Sequence, residues 1–238
     1  QRHSTRLNSA WRCHSCQQEF PPPPSDGEWC EPCDQQRVAA KRQEALANLS
    51  HWLSDHVGIP WKFVAEPWQL PSWAESYVPI RRGLCLTGPV GTGKTATLCL
   101  LARLDCEQAL ERESERELRA ADPWRFVSCA ALVMELQDAW RRQDAEQTAF
   151  GILKRLANTR YLILDDLGAE KLTDYVRQAL YYLLNEREQW ERPTFITTNF
   201  RLAQLDEQLD RRISSRIAGM CDVKALEGRD RRIRSMAS

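Results

Sequence analysis

Residues 88 to 95 read Gly-Pro-Val-Gly-Thr-Gly-Lys-Thr, a spacing of glycines, lysine and threonine that is typical of a phosphate-binding loop. Glycines let backbone N–H groups turn toward phosphate oxygens, while the lysine and the positive end of a following helix attract negative charge. An apolar, strand-like run at 84–86 precedes the loop and a helix-compatible run at 96–102 follows it. This strand–loop–helix order is the one that a phosphate-binding loop requires, and a chance glycine-rich turn would have no reason to show it. The predicted contacts to a nucleoside triphosphate are Gly88, Pro89, Val90, Gly91, Thr92, Gly93, Lys94, Thr95 and Ala96.

A second reactive pattern lies at residues 161–166, where the apolar run Tyr-Leu-Ile-Leu ends in two adjacent carboxylates. The run suits a central parallel strand, and paired acids at its end are costly without a cation. We expect Asp165 to hold Mg²⁺ together with the Thr95 hydroxyl, and Asp166 to polarise an attacking water. The alternative is a strand end whose acids only begin a loop. Since glutamate is more usual at the second position and aspartate is shorter, we expect slow intrinsic hydrolysis.

A third polar group ends the next predicted strand, Pro-Thr-Phe-Ile-Thr-Thr-Asn at residues 193–199. An amide at this strand tip can form hydrogen bonds with both a terminal phosphate and the attacking water. Asn199 therefore joins Lys94, Asp165 and Asp166 as a predicted catalytic residue.

Four cysteines near the start of the chain form a C-x2-C-x13-C-x2-C pattern, close to the spacing of zinc ribbons. The loop between the two pairs is rich in proline and cannot build a core, so a metal would supply much of the folding energy. The alternative is four free or redox-active cysteines. His14, between two of them, is interpreted as an exposed bystander. The predicted Zn²⁺ ligands are Cys13, Cys16, Cys30 and Cys33, whereas Cys85, Cys99, Cys106, Cys129 and Cys221 are predicted to be small buried hydrophobic residues.

Length and composition limit the classes of protein to consider. The 238 residues suffice for one α/β domain and a small appendage, and 33 basic residues balance 33 acidic ones. Because the formal net charge is zero, the protein has no overall positive field that would attract nucleic acids. Any contact with nucleic acid therefore needs a local basic patch. No apolar run approaches the roughly 20 residues that cross a bilayer, and no signal-like segment opens the sequence. We therefore expect a cytoplasmic protein with no membrane partner.

The order of predicted elements indicates an α/β fold with a parallel sheet flanked by helices, which places a ligand at the carboxyl ends of the strands. Besides the strands above, we predict a strand at 125–128 and helices at 34–57, 105–121, 130–141 and 173–190. Breaks at Gly58 and at four prolines divide the chain into a metal-binding module with its connecting helix at 1–57, a linker at 58–79 and a nucleotide domain at 80–238. Three tryptophans of this region, Trp61, Trp68 and Trp73, either pack the linker against the nucleotide domain or form a partner-binding or base-stacking surface.

Several motifs together resemble the DnaC/IstB family of AAA+ P-loop ATPases over residues from about 80 to 235. They are the loop at 88–95, Asp-Asp-Leu-Gly at 165–168, Leu-Asn-Glu-Arg at 184–187, residues 193–199 and Ser-Arg-Ile at 215–217. The resemblance implies that Asn199 is the sensor-1 residue. It also implies that Arg212 and Arg216 are arginine fingers that reach the terminal phosphate on a neighbouring subunit; the alternative is two arginines on a solvated helix. The segment 228–232 is similar to the closing Gly-x-Asp-x-Arg of the family, which would make Arg232 face the nucleotide, although Arg231 replaces the usual aromatic residue.

Known members of this family load the ring-shaped replicative helicase of the DnaB type onto single-stranded DNA, or assist a transposase as DNA-binding ATPases. Loaders of the DnaI type resemble this chain in having a cysteine-ligated zinc domain, so the resemblance favours a helicase loader that uses ATP, Mg²⁺ and Zn²⁺ and assembles into a ring or spiral. The basic stretch 211–238 is a candidate for DNA phosphate contacts or a solubilising terminus. Two alternatives stay open: an IstB-like transposition helper that binds duplex DNA and a transposase, and a zinc-ribbon regulator that uses ATP only as a switch.

Overall fold

The computed structural model of the chain describes residues 11–20, 31–65, 69–78, 80–112, 123–142, 148–169 and 173–230. The chain divides into two compact units, residues 1–47 and 48–238. Residues 48–57, which the sequence assigned to the metal-binding module, therefore lie in the second unit.

In the first unit, a short antiparallel hairpin pairs strand β1 (Trp11–Arg12) with strand β2 (Glu19–Phe20). The opposite charges of Arg12 and Glu19 meet across it at 2.7 Å. Helix α1 (Glu31–Trp52) begins in this unit with Glu31 and Asp34 in its first turn, where acidic side chains complement the positive helix end. The predicted helix at 34–57 is confirmed, except that residues Leu53–Val57 form a π-helical turn closed by Gly58.

The second unit contains a five-stranded sheet in which every neighbouring pair is parallel. Its spatial order, β4-β5-β6-β3-β7, places the strand before the phosphate loop next to the strand that ends near Asn199. The α/β fold with a parallel sheet and flanking helices is thus confirmed. The strands are β3 (Gly83–Thr87), β4 (Trp124–Ser128), β5 (Tyr161–Asp165), β6 (Thr194–Thr198) and β7 (Cys221–Ala225).

Helices connect and flank these strands. The runs predicted at 96–102 and 105–121 join in one helix that ends at Arg112, and residues 113–121 of that prediction lie outside the described residues. Thr148 and Thr173 accept hydrogen bonds from backbone N–H groups at the starts of two helices, which satisfies donors that have no partner within the helix. The helices are α2 (Trp61–Ala65), α3 (Ser72–Glu75), α4 (Lys94–Arg112), α5 (Cys129–Arg142), α6 (Ala149–Asn158), α7 (Asp174–Gln189), α8 (Leu202–Gln208) and α9 (Arg211–Met220).

The central strands are apolar because both of their faces are covered. An aromatic cluster lies on one side, where the ring of Trp124 approaches those of Tyr161 and Phe195 at 4.8 and 4.9 Å between centroids. The five cysteines of the second unit are buried as predicted, and burial raises the pKa of the Cys85 thiol to about 12. The larger apolar cluster contains Leu132, Leu136, Leu156, Leu162, Leu164, Leu180, Leu183, Ile196, Ile213 and Ile217.

Two of the three linker tryptophans can be placed. Trp73 packs beneath the Lys224 ammonium group, 4.4 Å from its ring centroid, whereas Trp61 is 46% exposed beside His51. Trp68 lies outside the described residues. Among the helices that the structure describes, none combines the length and apolar character needed to cross a bilayer.

Candidate functional site

The phosphate loop leaves the carboxyl end of β3 and passes directly into α4, which begins at Lys94. Gly88, Gly91 and Gly93 have φ angles of +136°, +78° and +95°, which side chains of L-residues rarely adopt. These conformations explain why glycine recurs in the loop. The Thr92 hydroxyl donates to the Pro89 carbonyl at 3.0 Å and closes the turn.

Lys94 is the central cation of the site and is only 6% exposed. Its ammonium group donates to the carbonyls of Gly88 and Pro89 at 2.8 and 2.7 Å, and to the Asn199 side-chain oxygen at 2.9 Å. The structure therefore brings together two predicted site residues that are 105 positions apart in sequence.

Asp165 lies at the end of β5 and accepts hydrogen bonds from the hydroxyls of Thr95 and Thr197, each at 2.7 Å. Burial raises the pKa of the Asp165 carboxyl, and the hydrogen bonds from Thr197 and Thr95 oppose this shift. The Asp165 carboxylate and the Thr95 hydroxyl are hard oxygen ligands that already touch, so this donor set fits Mg²⁺.

Asp166 follows with a φ of +61°, in the left-handed region where aspartate is found several-fold more often than most residues. This conformation provides a physical reason for aspartate at a position where glutamate is more usual. The Asn199 amide donates to the Asp166 carboxylate at 3.2 Å, so the carboxylate and the amide lie side by side at the ends of β5 and β6. A water bound by both groups would be aligned for attack on a terminal phosphate.

Sequence reasoning missed Thr197, which organises both acids. Its hydroxyl donates to Asp165 and accepts from the Asp166 backbone N–H at 2.8 Å, and it is fully buried. A signal was available, because a polar side chain inside a buried strand needs a hydrogen-bond partner. Through these two hydrogen bonds, Thr197 of β6 fixes the positions of Asp165 and Asp166 at the end of β5.

A cavity of about 300 Å³ opens over these groups. It includes nine of the predicted nucleotide and catalytic residues, together with four residues of β4 and α2 that the sequence did not indicate. Arg212 and Arg216 are not among the described residues that line it. The predicted residues are Val90, Gly91, Gly93, Lys94, Thr95, Ala96 and Asn199 beside both acids, and the additional polar or aromatic ones include Lys62, Phe63 and Ser128.

The segment after β7 covers the phosphate loop. The Leu226 N–H donates to the Thr87 carbonyl at 2.7 Å, and the Leu226 carbonyl lies so close to Gly88 that a Cβ there would be 2.2 Å from it. The Asp230 carboxylate lies against Gly91 in the same way, at 1.7 Å from an ideal Cβ position. The closing segment therefore reaches the loop, while Arg232, predicted to face the nucleotide, lies outside the described residues.

The two predicted arginine fingers lie on α9, away from the cavity of their own chain. The Arg216 guanidinium contacts Glu188 and donates to the Tyr181 hydroxyl at 2.8 Å. The side chain of Arg212 is 67% exposed, pairs with Asp210 at 2.7 Å and lies over the Tyr181 ring. Of the two, Arg212 is the more accessible to a neighbouring subunit.

Three of the four predicted zinc ligands converge in the first unit. The ligand atoms of Cys13, Cys16 and Cys33 all lie within 4.8 Å of one another, a separation that fits thiolates around one tetrahedral ion. Cys13 and Cys16 belong to the hairpin turn, and Cys33 is in the first turn of α1, where the helix dipole favours a thiolate. Cys30 lies outside the described residues.

Replacing Asp165 with asparagine should raise the thermal unfolding midpoint of the protein at pH 7 in the absence of metal and nucleotide. Because the folded pKa of Asp165 is raised, its ionisation destabilises the fold as pH rises through that value, and asparagine removes the charge while still accepting from Thr95 and Thr197. Fluorimetric melting in EDTA measures the midpoint. The difference should vanish at a pH below the ordinary value of 3.8, and an equal or lower midpoint at pH 7 would contradict the burial effect.

Comparisons with known proteins agree with this geometry. The family of IstB-like ATP-binding proteins matches residues 68–237. The replicative helicase loader DnaI of Bacillus subtilis (strain 168) is 31% identical over 120 residues, which are 50% of this chain, and the chain spans only 33% of that relative. The structure of the DnaC helicase loader has a TM-score of 0.54 at 22% identity and covers 68% of this chain and 95% of its own.

The AMPPCP-bound DnaA from Aquifex aeolicus has a TM-score of 0.53 at 16% identity, with coverage of 71% of this chain and 51% of its own. At these identities, the two solved structures show the shared fold alone. The family match, the parallel sheet and the assembled phosphate loop lead to one conclusion. The chain belongs to the family of IstB-like ATP-binding proteins and is an ATPase with the AAA+ fold.

Proposed function

We propose that this ATPase is a helicase loader, which binds a replicative hexameric helicase of the DnaB type and delivers it onto single-stranded DNA. The observation that carries this proposal is the presence of a converging cysteine cluster in the same chain as the nucleotide site. Similarity to DnaI, a replicative helicase loader by name, supports the same reading. In this proposal, residues 1–57 are the partner-binding module with its connecting helix, 58–79 the linker and 80–238 the ATPase domain, and residues 48–57 at the end of the connecting helix belong to the compact unit of the ATPase domain.

In the nucleotide site, the loop from Gly88 to Ala96 would hold the phosphates, and Lys94 would neutralise their charge. Thr95 and Asp165 would hold Mg²⁺, which supplies electrostatic stabilisation of the transferred phosphate. Asp166 and Asn199 would orient the attacking water. Arg232 would contribute from the closing segment, which already covers the loop through Leu226 and Asp230.

Assembly would complete the site through α9. Arg212 exposes most of its side chain and lies outside its own cavity, which suits a group that acts on the nucleotide of a neighbour. Arg216 contacts Glu188 and donates to the Tyr181 hydroxyl, so in this proposal it would hold α9 against α7 and position Arg212. Hydrolysis would then depend on a ring or spiral of subunits.

Arg212→Ala should leave ATP affinity unchanged but reduce hydrolysis in the DNA-bound assembly by about 1000-fold, the scale of an arginine finger supplied by a partner. Steady-state ATPase assays across protein concentration measure the effect. Arg211→Ala is the matched control, since Arg211 is an exposed neighbour on the same helix. Equal turnover by wild type and Arg212→Ala would overturn the intersubunit mechanism.

Single-stranded DNA would contact an exposed aromatic surface as well as the basic stretch 211–238. Trp140, at 69% exposure, lies with its ring centroid 5.1 Å from that of Tyr175, and the neighbouring Arg141 is exposed. An accessible aromatic ring beside a cation is suited to stack an unpaired base and attract its phosphate. This combination supports single strands over duplex DNA, whose bases are already stacked.

A helicase-binding experiment tests the proposed partner. The protein is mixed with a replicative hexameric helicase, with and without ATP, and the mass of the complex is measured by light scattering after gel filtration. We expect a defined complex that is lost when Cys16 and Cys33 are replaced by serine, with zinc content measured on each variant. The control is Arg37→Ala on α1, which removes a partly exposed ion pair with Asp34.

The absence of a complex under every nucleotide condition would contradict the loader proposal. It would favour the alternative of a transposition helper, for which the IstB-like family match is the supporting observation. That alternative predicts cooperative binding to duplex DNA and a transposase partner. Binding of labelled single-stranded and duplex oligonucleotides at equal length distinguishes the two functions.

A further inference from the structure

Helix α2 brings a second lysine to the nucleotide cavity. Lys62 and Phe63 line the cavity together with Lys94, Asp165 and Asn199, although α2 precedes the phosphate loop by more than twenty positions in the sequence. Lys62 is exposed, and its ammonium group lies over the Phe63 ring, 4.8 Å from the centroid. The lysine thus reaches the site from a segment outside the motifs recognised in the sequence.

The segment that carries Lys62 is fixed to the ATPase core. Val64 is 2% exposed, and its carbonyl accepts from the Arg103 guanidinium at 2.8 Å and from the Ser50 hydroxyl at 3.1 Å. Arg103 is on α4, whose first residue is Lys94, and Ser50 is near the end of α1. The same helix therefore carries the loop lysine at its start and anchors α2 farther along.

The position of Lys62 along the sheet places it near the strand ends. The π-helical turn before α2 packs against β4, and Phe126 and Ser128 of β4 line the same cavity. Lys62 therefore lines the same cavity as Asp165, Asp166 and Asn199, the groups that a terminal phosphate of ATP is expected to approach.

We propose that Lys62 contacts the terminal phosphate of bound ATP and makes the site distinguish ATP from ADP. Lys94 already donates to two loop carbonyls and to Asn199, and α2 supplies a second ammonium group to the same cavity. A lysine is a compact, strongly charged donor on a flexible stem, suited to an oxygen that is present in one nucleotide and absent in the other. Residues 48–65 are held together by the hydrogen bonds of Ser50 and Arg103 to the Val64 carbonyl. In this proposal, the contact of Lys62 with the terminal phosphate therefore makes this segment respond to whether ATP or ADP is bound.

The inference rests on the ATP site alone and is independent of the loader function. Its test is titration calorimetry of the full chain with ADP and with a non-hydrolysable ATP analogue, both in the presence of Mg²⁺. Lys62→Ala should weaken analogue binding about tenfold, the scale of one charge-assisted hydrogen bond, and should change ADP binding by less than about twofold. Lys62→Arg should retain most of the preference for the triphosphate.

The matched control is Lys154→Ala, which removes an exposed lysine of α6 and should change neither affinity. Since Lys62 is exposed, its substitution should leave the unfolding midpoint unchanged, and melting curves check this. Hydrogen exchange should also show slower exchange of residues 48–65 with the analogue than with ADP in the wild type, and equal exchange in Lys62→Ala. Equal loss of affinity for both nucleotides, or no loss for either, would overturn the inference.

Discussion

Lys94→Ala should abolish measurable ATP binding, with a loss of affinity on the order of 100-fold or more. The ammonium group is almost fully buried between the carbonyls of Gly88 and Pro89 and the side chain of Asn199. Its removal takes away the main positive charge that faces the phosphates and one hydrogen bond from each of these three oxygens, of which the Pro89 carbonyl keeps its bond from Thr92. Titration calorimetry with Mg²⁺ and ATP measures the loss.

The matched control for this prediction is again Lys154→Ala, in which the lysine removed is exposed and outside the cavity. Circular dichroism should show that Lys94→Ala retains its secondary structure, because the lysine contacts the loop and not the sheet core. Retention of ATP affinity within about threefold of wild type would contradict the role assigned to the loop.

Arg187→Ala should destabilise the fold by about 3–5 kcal/mol, through lost hydrogen bonds and a cavity at a buried position. Arg187 is fully buried on α7, and its guanidinium donates to Thr194 at 2.8 Å, to Thr159 at 2.7 Å and to Pro193 at 2.7 Å. It also donates to the Leu156 carbonyl at the end of α6. One side chain therefore ties two helices to the start of β6.

Chemical denaturation measures this free energy, with Arg177→Ala as the control on the same helix. Arg177 pairs with Asp174 at the surface, and such exposed pairs contribute about 0 to 1 kcal/mol. Arg187→Lys should give an intermediate loss, because one ammonium group cannot span acceptors on two sides of a planar guanidinium. A free energy of unfolding within about 1 kcal/mol of wild type for Arg187→Ala would show that the buried network is dispensable.

Burial lowers the pKa of Arg187 to about 9, so this guanidinium is also a source of pH-dependent stability. Because the pKa of Arg187 is lower in the folded state than in the unfolded state, the unfolded state binds the proton more tightly. Protonation of Arg187 therefore lowers the free energy of unfolding. The stability of the wild type should therefore rise between pH 8 and pH 10 relative to Arg187→Ala, provided that other groups titrate alike in both proteins. Parallel denaturation curves across this window measure the difference.

The elements most accurately predicted from sequence are those encoded by local patterns. The apolar runs at 84–86 and 161–164 are central strands, and the glycines of the phosphate loop have the positive φ angles that their spacing requires. The pairing of C-x2-C motifs likewise predicts the convergence of Cys13, Cys16 and Cys33. In each case, a few consecutive residues carry both the pattern and its physical cause.

The features that sequence reasoning missed depend on contacts between distant parts of the chain. Thr197 reads as an ordinary strand residue until β6 pairs beside β5 and brings its hydroxyl to Asp165. Arg187 belongs to a motif that carries the family resemblance, but its burial against carbonyls at the end of α6 and just before β6 does not follow from that motif. Lys62 enters the site only because Val64 docks on α4, which no spacing of residues indicates.

The proposed ATP-dependent delivery of a helicase onto single-stranded DNA can be measured directly as helicase loading. A replicative hexameric helicase is incubated with circular single-stranded DNA, ATP and either wild-type protein or Lys94→Ala, and helicase retained on the circles is measured after gel filtration in high salt. We expect that wild-type protein increases the retained helicase at least several-fold and that Lys94→Ala does not. Equal retention with and without the wild-type protein, or equal stimulation by Lys94→Ala, would contradict ATP-dependent helicase loading.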